Sequence, residues 1–160
     1  MSFVNHYSFL LTAAVCTLAL GLLVLRRGLR GSDLTALGAL VLGFVLAFLL
    51  LRPSASGLAD ADQVREQIGA GTPVLLELQS PYCLGCMAAR PVVDRIEREH
   101  ADRLQVIRLN IQDPAGRQLA ADFASTFTPT FIFFDAQGQE AWRTVGAINP
   151  LAVRQSLDQP

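Results

Sequence analysis

Hydrophobic and polar positions divide this chain into two unlike parts. Tyr7–Leu25 (YSFLLTAAVCTLALGLLVL) and Leu34–Leu51 (LTALGALVLGFVLAFLLL) are unbroken by Lys, Arg, Asp or Glu. Each is close to the roughly 20 apolar residues a helix needs to cross a hydrocarbon core of about 30 Å. The first run is longer than the apolar part of a cleaved leader. Residues 1–6 also lack the positive charge a leader carries, and a second apolar run follows at once. The pattern predicts a two-helix transmembrane hairpin within residues 1–52, with helices over about 7–25 and 34–51. A Pro/Ser/Gly-rich linker at 53–58 then leads to a globular domain over 59–160.

Beyond the linker the pattern alternates between helical and strand periods. Residues 59–68 place Val64 and Ile68 on one helical face and stop at Gly69-Ala70-Gly71. PVLLELQ (73–79) is an apolar run of strand length, and LQVIRLNI (104–111) alternates as a second strand. Between them, residues 84–100 read as a long helix interrupted by Pro91. Pro114 leads into a helix over 115–124, with Leu119 and Phe123 on one side. TFIFFD (130–135), the turn AQG and QEAWRTVG (139–146) form a hairpin, after which Asn149-Pro150 caps a last helix. This order predicts an α/β domain, a mixed sheet flanked by helices. Phe131, Phe133 and Phe134 belong to its core, Trp142 covers an edge, and Arg95, Arg98 and Glu99 form a solvated helix face.

Charge adds an orientation. The loop RRGLRGSD carries Arg26, Arg27 and Arg30, the N-terminal flank carries no basic residue but His6, and the far flank has only Arg52. Short basic loops stay cytoplasmic, so a two-pass cell-membrane protein with both termini outside is expected. The domain then faces a periplasmic or equivalent extracytoplasmic space, where disulfides persist. After Pro53, nine arginines stand against thirteen acidic residues with no basic stripe, which argues against a nucleic-acid partner. Small residues recur along each apolar run: Ala13, Thr17 and Gly21, then Thr35, Ala39, Gly43 and Ala47. Such seams suit either self-packing of the hairpin or docking of another membrane protein. Cys16 sits among them as a small apolar filler.

The chemistry lies in Cys83-Leu84-Gly85-Cys86. A structural metal site needs four ligands, and Cys16, His6 and His100 are poorly placed to complete one. No metal is therefore assigned. A structural disulfide here would close a very small loop and restrain little chain entropy. At the start of the 84–100 helix, unpaired amides and the helix dipole favour a Cys83 thiolate. Cys86, one turn in, is placed to attack a mixed disulfide formed by Cys83. Redox chemistry is the better reading. No phosphate loop and no Ser/His/Asp set is apparent, so no cofactor is expected.

Residues 72–157 resemble the thioredoxin family. The resemblance is carried by PVLLELQSPYCLGC, by Pro91 five residues after the second cysteine, by TFTPTFIFFDAQGQ with Pro129, and by Gly146. It implies a thioredoxin-like fold preceded by the transmembrane hairpin. It further implies Cys83 as the more exposed attacking thiol, Cys86 as the resolving thiol, and Pro129, if cis, shaping the substrate groove with Tyr82. Thr128 would lend backbone hydrogen bonds to a substrate strand. Glu77 occupies the place of the family's buried acid: either a proton relay to Cys86 or an ion pair with Arg108. Tyr82, Gln79 and the Leu-Gly dipeptide depart from the family's usual residues, so its redox potential does not carry over.

The expected function is a membrane-anchored, extracytoplasmic thiol–disulfide oxidoreductase that reduces exported proteins, apocytochrome c being one such client. Its partners would be disulfide-containing proteins, the lipid bilayer, and a transmembrane thiol electron donor. A disulfide-forming oxidase and an accessory subunit of a larger membrane complex are the competing readings.

Overall fold

The computed structural model describes residues 2–27, 31–51 and 60–158. The expected linker at 53–58, Arg30 and Arg52 lie outside the described residues. A short helix α1 (Ser2–His6) breaks at Tyr7 and is followed by α2 (Ser8–Arg27) and α3 (Gly31–Leu51). Next come α4 (Ala61–Gln67), β1 (Val74–Gln79), α5 (Leu84–Glu99) and β2 (Gln105–Asn110). The chain closes with α6 (Pro114–Asp122), β3 (Thr130–Phe134), β4 (Glu140–Val145) and α7 (Pro150–Leu157).

The strands form one sheet in the order β2-β1-β3-β4. β1 runs parallel to β2 and antiparallel to β3, and β3 pairs antiparallel with β4. All six residues of β1 are buried, since it is central and both faces are covered. Strand alternation sends Val74, Leu76 and Leu78 to one face, against Val64 of α4 and Leu119 of α6. Leu75 points to the other, with Phe131, Phe133, Val93 and Ile96 of α5, and Val153 of α7. Glu77 and Gln79, two and four residues on from Leu75, share that second face. This parity sets a carboxyl on the face of the sheet that α5 covers.

Local signals explain the ends of the elements. Asp60 accepts from the Asp62 amide at 3.1 Å to cap α4, and Asn149 accepts from Leu151 at 3.0 Å to cap α7. Asp135 Oδ1 accepts from the amides of Gln137 and Gln139, while Gly138 takes φ +78° in the hairpin turn. The helix expected to be interrupted at Pro91 instead runs continuously through it. Proline removes only the amide that would have bonded the Met87 carbonyl, and packing of Val93 and Ile96 carries the helix onward. Trp142 stacks on Phe133 with ring centroids 5.5 Å apart and donates to Ser156 Oγ at 2.8 Å.

Gly116 of α6 lies over the end of β2, where an added Cβ would sit 2.0 Å from the Asn110 carbonyl oxygen. Neither group is a flexible side chain, so α6 must move to admit it. Gly116→Ala is expected to cost about 2–3 kcal/mol. The urea midpoint of Trp142 fluorescence, the chain's single tryptophan, should fall accordingly.

In the N-terminal part, α3 contains one stretch, Ser32–Leu50, long and apolar enough to cross a membrane by length and composition. The apolar stretch of α2, Ser8–Val24, is shorter. The two helices pack together, with Phe9 edge-on to Phe44 at 6.0 Å. The expected seam is only half realised. Ala13, Thr17 and Gly21 lie on the partly covered side of α2, but Thr35, Ala39 and Gly43 of α3 are exposed. Phe44 and Phe48 face Phe9 of α2 instead. A Cβ on Gly21 would meet nothing within 4 Å. Cys16 is exposed, not a filler.

Candidate active site

Cys83 is the N-cap of α5. Its sulfur accepts from the Cys86 amide at 3.4 Å, and its thiol donates to the Thr128 carbonyl at 3.3 Å. Cys86 lies one turn into the helix, where its sulfur accepts from the Ser80 amide at 3.5 Å. Both cysteines are free thiols. The Thr128–Pro129 peptide is cis, and a Cβ on Gly85 would lie 3.1 Å from Pro129 Cδ, so proline ring and helix start are in close contact. The β1–α5 junction and the approach to β3 thus bring Cys83, Cys86, Thr128 and Pro129 together from positions far apart in sequence.

Electrostatics separate the two thiols. The hydrogen bond from Cys86 holds the Cys83 thiol down at about 6, helped by the amides of Cys86 and Gly85 and opposed by burial. The same bond, together with burial, pushes the Cys86 thiol strongly upward. The two sulfurs are thus set apart, with Cys83 the more readily ionised and Cys86 the more firmly protonated.

Glu77 is only 1% exposed. Both readings of its role find something in the geometry. Arg108 on the neighbouring strand approaches Glu77 Oε2, but at 3.4 Å, while it bonds Asp94 at 2.9 Å and Glu97 at 2.8 Å. One guanidinium shared among three carboxylates neutralises none of them fully. Glu77 Oε1 has no hydrogen-bond partner among the described residues. Burial accordingly outweighs Arg108 and raises the Glu77 carboxyl to about 7, with Asp94 adding to the rise.

A carboxyl that titrates near 4.5 unfolded and near 7 folded binds more protons in the native state across that window. Stability contributed by the neutral form is present below the unfolded value and is lost as pH rises through about 7. Glu77→Gln mimics the neutral form. It should raise stability at pH 8 by about 1–3 kcal/mol and leave pH 4 stability nearly unchanged. Urea midpoints at the two pH values read this directly.

Both thiols are buried, Cys83 at 1% and Cys86 at 0% exposure, and the N-terminal segment lies across Cys83. Phe9 N donates to the Tyr82 carbonyl at 2.9 Å, and Leu84 N donates to Ser8 Oγ at 3.0 Å, so the residues on both sides of Cys83 are engaged. Ser80 Oγ donates to the His6 carbonyl at 2.9 Å. Tyr82 is sandwiched between Tyr7 and Phe48, each with ring centroids 5.7 Å away. Asn5 pairs with Thr128: its Nδ2 donates to the Thr128 carbonyl at 2.9 Å and its Oδ1 accepts from the Thr128 amide at 2.7 Å. Sequence reasoning passed over Asn5, Tyr7, Ser8 and Phe9. The available signal was Asn5, His6 and Ser8, polar groups clustered at the mouth of an apolar run.

A four-stranded mixed sheet between two helical layers, with a dithiol at a helix start facing a cis-proline, defines a thioredoxin-like protein. The Thioredoxin-like domain family model matches residues 61–159, and the chain belongs to that family. Thioredoxin 1 of Synechococcus elongatus is 28% identical over 105 residues, covering 66% of this chain and 95% of the relative. The chloroplastic thioredoxin-like protein HCF164 of Oryza sativa is 28% identical over 90 residues, which is 56% of this chain and 34% of that protein. In fold, mitochondrial thioredoxin 3 of Saccharomyces cerevisiae superposes with a TM-score of 0.55 at 17% identity, covering 69% of this chain and 96% of its own. Fasciola hepatica thioredoxin gives 0.53 at 24% identity over 62% of this chain and 93% of its own. The family carries thiol–disulfide oxidoreductase chemistry in general and acts on disulfide-containing proteins.

Proposed function

We propose that this chain is a membrane-anchored, two-pass thiol–disulfide oxidoreductase whose domain lies outside the cytoplasm and reduces disulfides of exported proteins. The observation that carries it is the placement of the dithiol: Cys83 caps the start of α5 and accepts from the Cys86 amide at 3.4 Å, with Cys86 buried one turn behind it. In the proposed cycle the Cys83 thiolate attacks a substrate disulfide. The substrate S–S bond breaks, one sulfur leaves as a thiolate and takes up a proton, and a mixed disulfide remains. Cys86 then gives its proton to ionised Glu77 and attacks Cys83 Sγ. The second substrate sulfur leaves, and the Cys83–Cys86 disulfide holds the two electrons' worth of oxidation. A dithiol donor must return those electrons, and on the extracytoplasmic side a transmembrane thiol carrier is the class of partner that supplies them. Tyr82, Thr128 and Pro129 form the substrate groove in this reading.

The anchoring and orientation are supported by where the helices end. Phe9, near the start of α2, and Phe48, near the end of α3, lie within 5.8 Å of each other at the active-site end. Arg26 and Arg27 are then at the other end of a 20-residue helix, roughly 30 Å away. If α2 and α3 span the bilayer, the arginines fall on the side opposite the domain, as basic loops on the cytoplasmic side require.

The direction of electron flow is tested by the equilibrium potential of Cys83–Cys86 in the full chain in lipid nanodiscs. Thioredoxin's nucleophile titrates at about 7 with a potential near −270 mV, whereas the strongest dithiol oxidants combine about 3.5 with −120 mV. A value near that of thioredoxin is the result expected of a reductant. A value near −120 mV would make the protein an oxidase. A pair that does not cycle would leave a binding module in a membrane assembly.

A further inference from the structure

In the proposed reduction, which this inference takes as its basis, Thr128 must offer its backbone amide and carbonyl to an incoming substrate strand. Both are already taken. The Asn5 side-chain amide meets the Thr128 amide at 2.7 Å and the Thr128 carbonyl at 2.9 Å, and Thr128 Oγ1 donates to the same Asn5 oxygen at 3.1 Å. A primary amide presents one donor and one acceptor side by side, the same pair a peptide group of a substrate strand would present. We propose that residues Asn5–Phe9 are a resident cap on the substrate groove, with Asn5 as an internal stand-in for the substrate backbone.

Three further contacts make the cap a built feature. Ser8 Oγ accepts from the Leu84 amide at 3.0 Å, an α5 amide that the helix itself leaves unpaired. Phe9 N donates to Tyr82 O at 2.9 Å. Tyr7 stacks on Tyr82 with a 14° interplanar angle, while Phe48 of α3 covers the other face. Together they leave Cys83 1% exposed, although it is the sulfur that must reach a substrate. The thiol is activated and shielded at once. A substrate gains access only by displacing Asn5 from Thr128, so the cap excludes disulfides that cannot supply an extended backbone in its place. Because Ser8 and Phe9 of the cap are the first residues of α2, whatever moves the N-terminal end of that helix also opens the groove.

The cap is tested with the full chain, reduced, in phosphatidylcholine nanodiscs. N-ethylmaleimide labelling of Cys83 is timed by peptide mass spectrometry, which separates it from Cys16 and Cys86. Asn5→Ala, which removes all three bonds to Thr128, is expected to label at least tenfold faster than the unsubstituted chain. Its rate of reducing oxidised insulin should rise in parallel. Tyr7→Ala, which removes only the stack on Tyr82, should give a smaller increase in both. Trp142 fluorescence identifies any variant that has lost its fold, and the other variant then decides. Equal labelling rates in all folded chains overturn the cap, even where insulin is reduced. Faster labelling of the variants with insulin reduced by none of them upholds the cap and overturns the oxidoreductase reading.

Discussion

Cys86→Ser is expected to turn the protein from a catalyst into a trap. Cys83 keeps its place at the start of α5, where it accepts from the residue-86 amide, a backbone group the substitution retains. The first attack on a substrate disulfide should therefore proceed. The second cannot, since serine is no nucleophile toward a disulfide at neutral pH. Steady-state reduction should fall by about 10³-fold or more, a loss of roughly 4 kcal/mol in the rate-limiting barrier. A covalent adduct of chain and substrate should accumulate, visible on a non-reducing gel and released by dithiothreitol. Cys83→Ser should lose the same activity but give no adduct. An adduct on Cys83→Ser would reverse the assignment of attacking and resolving thiols. Cys86→Ala, which puts no donor in place of the thiol that donates to Cys83, should let Cys83 titrate above its value of about 6. The pH profile of its alkylation reports that shift.

The largest structural effect is expected from Phe133→Ala. Phe133 is fully buried at the heart of the sheet, paired with Leu75 on β1 and stacked on Trp142. Truncation to alanine in such a site costs about 3–5 kcal/mol, from lost transfer energy and from a cavity the sheet cannot collapse. For a domain of about 100 residues that is a large fraction of total stability. The urea midpoint should drop sharply, and Trp142 emission in the native state should change because its stacking partner is gone. A midpoint shift worth less than about 1 kcal/mol would mean the face of the sheet carrying Leu75, Phe131 and Phe133 is more plastic than its packing indicates.

Much of the domain was legible in the chain because its signals are local. VLLELQ reads as a buried strand, and Asn149-Pro150 announces α7 through the cap and the first helical position. The Cys-x-x-Cys pair is placed at a helix start by the strand before it and the amphipathic pattern after it. Pro91 misled for the same reason: a missing amide is a local fact, but tertiary burial decided that α5 continues. The hairpin seam misled because spacing names a face without naming what packs on it, and α3 offers α2 its phenylalanines instead.

The sequence by itself determined the element order, the face of β1 on which Glu77 falls, and the chemistry available at Cys83 and Cys86. These follow from periods of 2 and 3.6 residues and from the reactivity of a thiol at a helix N-terminus. Only the tertiary structure decided what that chemistry meets. Asn5 and Thr128 are separated by 123 positions, and no periodicity couples groups so far apart. Arg108 reaches Glu77 because β1 and β2 lie in register, and Asp94 and Glu97 draw it away because α5 passes above. Whether a carboxyl is a relay or an ion pair, and whether a thiol is open or capped, depends on distances of about 3 Å between distant segments. Packing sets those distances, and local pattern does not.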